Sequence, residues 1–282
     1  MGNKPSLPCD IMRLNQLLGA LVLGALASCF FPAMAADFED VRIPWKGIRV
    51  PNFSDDAPTG ELTAKLAKPA TQPAPYVIFM HGCGGLKLDA VDHWAEFFVK
   101  RGVGVLMVDS LTPRNRQEAC GEGGPQWPRR RADDVASSLA WLQTQTFVRS
   151  DRIALMGQSQ GGTAVLLAAQ KQAASSKSVV GAIAMYPACV LGVNGKAQFD
   201  KPVVVMVGGE DTWAPAAACE ELKALQADAS MMELTIYPGA RHSFDNPGVY
   251  RMALGKYPVG EHAASRDKAK ERIAQFIEQS LR

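Results

Sequence analysis

Short, nearly unbroken apolar runs recur along this chain, and most are followed by a stretch with helical spacing of its apolar positions. Runs at 76–80, 102–108, 152–156, 179–185, 202–207 and 232–237 predict strands. Their Val/Ile/Met content, without apolar–polar alternation, suits strands covered on both faces. Residues 91–101, 131–145, 162–170, 214–227 and 263–281 predict helices; in the second of these, Val135, Leu139 and Leu142 share one face. Repeated strand–helix units predict one α/β domain, with a mostly parallel central sheet and helices on both faces. Residues 63–66 predict an antiparallel edge strand. The connection 187–201 is short, which argues against a large cap over the sheet at that place. Residues 243–262, longer and irregular, read as a loop bordering a pocket.

The N-terminal segment does not belong to this pattern. Arg13 precedes a run from Leu14 to Phe31 without a charged residue, and Ala33-Met34-Ala35 has the small-x-small form of a cleavage site. Residues 1–35 therefore read as a signal peptide and residues 36–282 as a single exported domain, periplasmic or secreted. The run is short for a membrane span. Leu26-Ala27-Ser28-Cys29 leaves a lipid anchor at Cys29 open as the alternative.

Charge changes the picture little. With 30 Lys and Arg against 28 Asp and Glu, nothing suggests a nucleic acid or a strongly acidic partner. The one cationic run, Arg129-Arg130-Arg131, reads as a solvated helix face. Of the six cysteines, Cys83, Cys120, Cys189 and Cys219 lie beyond the leader. None has C-x-x-C spacing and histidines are few, so a zinc cluster is not expected. In an exported chain they read as disulfides. Three pairings are open; because each cysteine falls just past a strand end, Cys83–Cys120 and Cys189–Cys219 are the expected ones.

The candidate chemistry begins at Gly157-Gln158-Ser159-Gln160-Gly161, between the 152–156 strand and a helix. Strand, G-x-S-x-G, helix is the pattern of a sharp turn that exposes a serine hydroxyl at a helix N-terminus. There, backbone N–H groups and the helix dipole favour developing negative charge. A serine needs a base to take its proton and an acid to orient that base. In chain order those partners are Asp211 or its neighbour Glu210, in Gly208-Gly209-Glu210-Asp211, and His242 after the 232–237 strand. His81 reads as shaping a turn, His93 as part of a helix, and His262 as capping the last helix. The turn His81-Gly82-Cys83-Gly84-Gly85 can aim a backbone N–H at the serine. Cys83, with Gly84 the alternative, and Gln160 are the expected oxyanion donors. Trp213, Phe244 and Tyr250 are candidates for lining a pocket, against the plainer reading of packing.

Four segments together resemble the dienelactone hydrolase family of α/β-hydrolases: residues 81–85, 157–161, 208–211 and Tyr237-Pro-Gly-Ala-Arg-His-Ser-Phe244. The resemblance runs from about residue 74 to the C-terminus. It implies an α/β-hydrolase sheet, favours Asp211 over Glu210, implies a triad of Ser159, Asp211 and His242, and implies no cofactor. The founding enzymes carry cysteine at the nucleophile position and act on a cyclic dienelactone in the cytoplasm; this chain has serine. Its substrate is expected to be a small-molecule ester or lactone, taken by a monomer or small homo-oligomer. Peptidase, amidase or acyltransferase chemistry on the same triad, or a non-catalytic binding module on a hydrolase scaffold, are the competing readings.

Overall fold

The structure is a computed structural model that describes residues 36–45, 60–121, 126–194 and 196–282, and those from 36 onward belong to one unit. The expected leader and the alternative anchor at Cys29 lie outside the described residues. Eight strands form one sheet: β1 (Glu39–Pro44), β2 (Glu61–Ala67), β3 (Ala74–Met80), β4 (Gly104–Asp109), β5 (Val148–Gln158), β6 (Ala182–Met185), β7 (Val203–Gly208) and β8 (Met232–Tyr237). Their spatial order is β1-β2-β4-β3-β5-β6-β7-β8, parallel from β4 to β8 and antiparallel at β1 and β2. This is the mostly parallel α/β sheet expected from the apolar runs.

Alternate residues of the strands feed two cores. On β3, Tyr76, Ile78 and Met80 point to one face and Val77 and Phe79 to the other. The first face is covered by α2 (Gln126–Leu142), α3 (Gln160–Ala168) and α5 (Ala216–Ala224), through residues such as Leu139, Val165 and Leu222. The second is covered by α1 (Leu88–Val99) and α6 (Ala263–Phe276), through Trp94, Phe98, Ile273 and Phe276. A short helix, α4 (Val190–Asn194), follows β6, and a two-stranded hairpin, β9 (Tyr250–Ala253) with β10 (Tyr257–Gly260), precedes α6. Both small elements border the sheet's C-terminal edge, together with the segments that follow β3, β4 and β7, and among the described residues no large cap stands there. No described helix is long and apolar enough to cross a membrane.

Two expectations need correction. Residues 63–66 lie in β2, which is flanked on both sides; the edge strand is β1, whose only fully buried side chain is Ile43. The segment 243–262 is a hairpin with its approaches, not an irregular loop.

The order of strands positions the site. From β3 the chain crosses through α1 to β4 on one side, then returns through α2 to β5 on the other. A crevice opens beyond the C-terminal ends of β3 and β5, where the winding reverses, and ligands bind at such switch points in open α/β sheets. The turn 81–85 and Ser159 both sit at that place.

Candidate active site

Ser159 occupies a turn that only small neighbours permit. Its φ is 52° and ψ is −118°, a backbone conformation that costs energy and is held by its surroundings. A Cβ added at Gly157 would collide with the Gly161 carbonyl, and one at Gly161 with the carbonyls of Met80 and His81. The nearness of β5's end, α3's start and the turn after β3 is therefore what requires glycine at both positions. Ser159 N–H donates to the Met185 carbonyl (2.9 Å), tying the elbow to β6.

His242 stands over the serine. Its Nε2 lies 2.8 Å from Ser159 Oγ and its Nδ1 2.6 Å from Asp211 Oδ2. Asp211 accepts on its other oxygen from the N–H groups of Trp213 and Ala214, both at 2.8 Å. One carboxylate thus caps the turn before α5 and faces the imidazole. Because an ionised carboxylate only accepts, Nδ1 carries the proton and Nε2 is left to accept from the serine hydroxyl. Asp211 and His242 are buried and Ser159 is half-buried. Glu210 instead pairs with Arg241 at 3.5 Å in an exposed contact, so neither reaches the imidazole.

The glycine-rich turn packs against the serine: a Cβ on Gly82 would lie 3.7 Å from Ser159 Cβ. Among the described residues, the N–H groups of Cys83 and Gln160 donate to no protein acceptor. His81 is fully buried under the turn, its Nδ1 2.6 Å from the Gly82 carbonyl and its Nε2 accepting from Ser110 N–H at 3.3 Å. Burial, with Arg131 nearby, holds its pKa well below the usual imidazole range, so it stays neutral. His93 lies on α1. His262 precedes α6 and pairs with the Ser265 hydroxyl rather than with a backbone N–H.

Disulfides join Cys83 to Cys120 and Cys189 to Cys219. The first fastens the turn after β3 to the segment after β4; the second fastens the start of α4's approach to α5. A cavity of about 330 Å³ extends from Ser159 past Cys120, Pro128, Ala188, Val190 and Leu191 and is mainly apolar. A second lobe of about 410 Å³ shares Ser159 and His242 but runs past Lys87, Asn246 and Arg251 and is more polar. Trp213 borders both lobes, stacked on Tyr257 with centroids 5.2 Å apart and close to the His242 ring at 4.9 Å. Tyr250 borders the polar lobe with most of its surface in solvent. Phe244 is fully buried and packs between Tyr186 and Tyr237, away from both lobes.

Asp245, behind the site, is a residue that sequence reading missed. It is fully buried and accepts from Trp94 Nε1 (2.8 Å), Gln158 Nε2 (2.6 Å) and the Tyr186 hydroxyl (2.6 Å). Those donors come from α1, from the residue before the serine and from the ring beside His242. Burial and the Asp245 carboxylate push the Tyr186 phenol well above its ordinary pKa, so it remains a donor. Asp245→Ala would leave these donors buried with fewer acceptors, each costing about 1–3 kcal/mol. We expect a net loss of roughly 3 kcal/mol in urea denaturation; an unchanged midpoint would show that the three contacts contribute nothing.

Comparisons with known proteins bear on this arrangement. A family model described as "Dienelactone hydrolase family" matches residues 62–281. A relative from a Bradyrhizobium species, named as a probable 2-oxo-3-(5-oxofuran-2-ylidene)propanoate lactonase, is 28% identical over 194 residues, covering 64% of this chain and 78% of its own. Among solved structures, a dienelactone hydrolase from Anabaena variabilis superposes with a TM-score of 0.64 at 18% identity, covering 88% of this chain and all of that one. An esterase from Pyrococcus furiosus superposes with a TM-score of 0.61 at 16% identity, covering 88% and 94%. At such identities the structural likeness speaks to the α/β-hydrolase fold.

Proposed function

We propose that this chain, which belongs to the dienelactone hydrolase family, is a serine hydrolase that cleaves small carboxylic esters or lactones through an acyl-enzyme. The family makes it a hydrolase; the finer reading is carried by one observation, the His242 ring bridging Ser159 at 2.8 Å and Asp211 at 2.6 Å. Ser159 Oγ attacks the substrate carbonyl while His242 Nε2 takes its proton. The N–H groups of Gln160 and Cys83 receive the oxyanion. The tetrahedral intermediate then collapses, His242 returns the proton to the departing alcohol oxygen, and Ser159 is left acylated. Water, deprotonated by His242, attacks the ester and releases the acid, restoring the serine. The two lobes offer room for both halves of an ester about the serine, one apolar and one polar. The two disulfides suit an oxidising compartment, and we take the chain to be exported, with residues 1–35 as its leader.

Fluorophosphonate labelling of the purified protein tests this reading. An adduct is expected on the peptide carrying Ser159, and its formation should be lost in His242→Ala. A folded protein that takes no label would overturn it and bring the binding-module reading forward.

A further inference from the structure

Arg131 ends a cationic run, yet its side chain is fully buried, unlike the exposed Arg129. Its guanidinium donates to the His81 carbonyl at 2.5 Å and to Gln160 Oε1 at 3.1 Å. Gln160 Nε2 in turn donates to the Ala119 carbonyl at 3.3 Å, and Ala119 N–H donates to the Cys83 carbonyl at 2.8 Å. These contacts close a ring through the turn 81–83, the segment bonded to Cys120 and the first residue of α3. The disulfide Cys83–Cys120 braces the same ring covalently. Both proposed oxyanion donors, Cys83 and Gln160, are members of it, and Arg131 is the member that joins them from the side of α2.

The charge matters as well as the tether. Among the described residues no carboxylate lies within ion-pair distance of Arg131. Asp134, one turn along α2, is gripped by Arg114 through two bonds of 2.9 and 2.7 Å. Burial lowers the Arg131 pKa only to about 10, with Asp134 opposing the shift, so the side chain is a cation at neutral pH. A buried positive charge in a low-dielectric site favours negative charge forming nearby more strongly than one in water.

Resting on the serine-hydrolase reading, we propose that Arg131 is a positioning residue: it fixes the spacing of the Cys83 and Gln160 N–H groups and places a cation behind the developing oxyanion. Substrate in its ground state gains little from this, so the effect falls on kcat and on transition-state binding.

The test compares wild type, Arg131→Met and Arg131→Lys with p-nitrophenyl butyrate as substrate and a trifluoromethyl ketone as the oxyanion-forming inhibitor. Losing a direct oxyanion donor costs about 10²–10³ in kcat, and Arg131 acts one step behind two such donors, so Arg131→Met should lower kcat by roughly 10–100-fold. KM should move less than about twofold, and the inhibitor constant should rise in step with the loss of kcat/KM. Arg131→Lys keeps the charge but not the planar fork, so it should fall between the two, about fivefold below wild type. It also keeps the test open if the methionine variant does not fold. A folded Arg131→Met, or Arg131→Lys standing in for it, with wild-type kcat and inhibitor constant overturns the proposal while fluorophosphonate labelling at Ser159 leaves the hydrolase reading standing. A variant that loses thermal stability but keeps both constants shows Arg131 to be structural only, and overturns it too. A wild-type protein inert to ester, inhibitor and fluorophosphonate overturns both readings together.

Discussion

Ser159→Ala is expected to lower kcat for p-nitrophenyl butyrate by about 10⁶-fold, the order seen when a serine nucleophile alone is removed from a triad. The residue left behind has no hydroxyl to attack the carbonyl, and His242 Nε2 loses its 2.8 Å partner. What remains is binding and the oxyanion donors, which sustain only slow reaction with water. The fold has little reason to change. The tight contacts that require glycine at Gly157 and Gly161 are untouched. Alanine at φ 52° bears the same kind of strain as serine, so stability should stay within about 1 kcal/mol. Steady-state kinetics and a urea melt on the same preparation check both parts. Turnover retained in a folded alanine variant would show that another group supplies the nucleophile.

The sequence made some of this legible because the physics leaves a simple trace. A strand buried on both faces must be apolar throughout, so β3, β4, the second half of β5, β6 and β7 announce themselves as runs. Ser159, Asp211 and His242 stand beyond the ends of β5, β7 and β8, and chain order nominates them, with the family resemblance choosing Asp211 over Glu210. The elements that escaped notice carry weaker traces. In β1, Ile43 is the one fully buried side chain, and an edge strand paired on one side needs little more. In β9 only Ala253 is buried while Tyr250 and Met252 are exposed, so the strand has no buried apolar run to mark it.

Arg131 is the more instructive omission. A run of arginines suggests a wet surface, but Arg131, Asp134, Val135, Ser138, Leu139 and Leu142 are all buried along α2. Their spacing is the i, i+3, i+4, i+7 repeat of one helix face. Carried backwards from Val135, the apolar stripe runs through Asp134 and Arg131. A charged residue on a buried stripe needs a partner or a use, and that signal was present in the sequence. Asp245 left none: nothing local separates an aspartate after a buried Phe244 from one in solvent.

Asp211→Asn carries the second large effect, and the hydrogen bonds around it say why. Oδ1 accepts from the N–H groups of Trp213 and Ala214, and Oδ2 faces His242 Nδ1. An asparagine must present its one carbonyl oxygen to the two backbone donors, since its NH₂ group cannot accept from them. The NH₂ group is thereby turned toward His242. To avoid two donors meeting, the imidazole moves its proton to Nε2 and accepts on Nδ1. Nε2 then donates towards Ser159 instead of accepting its proton, and general-base catalysis stops although every heavy atom keeps its place. The same exchange of tautomer in a Ser-His-Asp triad costs about 10⁴ in kcat, and that is the loss expected here at neutral pH. KM should change little, because substrate contacts no part of Asp211. Asp211→Ala separates this cause from simple loss of the cap: it also removes the acceptor of two backbone N–H groups, so it should add a destabilisation of about 1–2 kcal/mol that the asparagine variant does not share. Equal melting and unequal turnover for wild type and Asp211→Asn would place the effect in the imidazole's proton. Wild-type turnover in the asparagine variant would mean that Asp211 only caps the turn and that His242 keeps its tautomer without help.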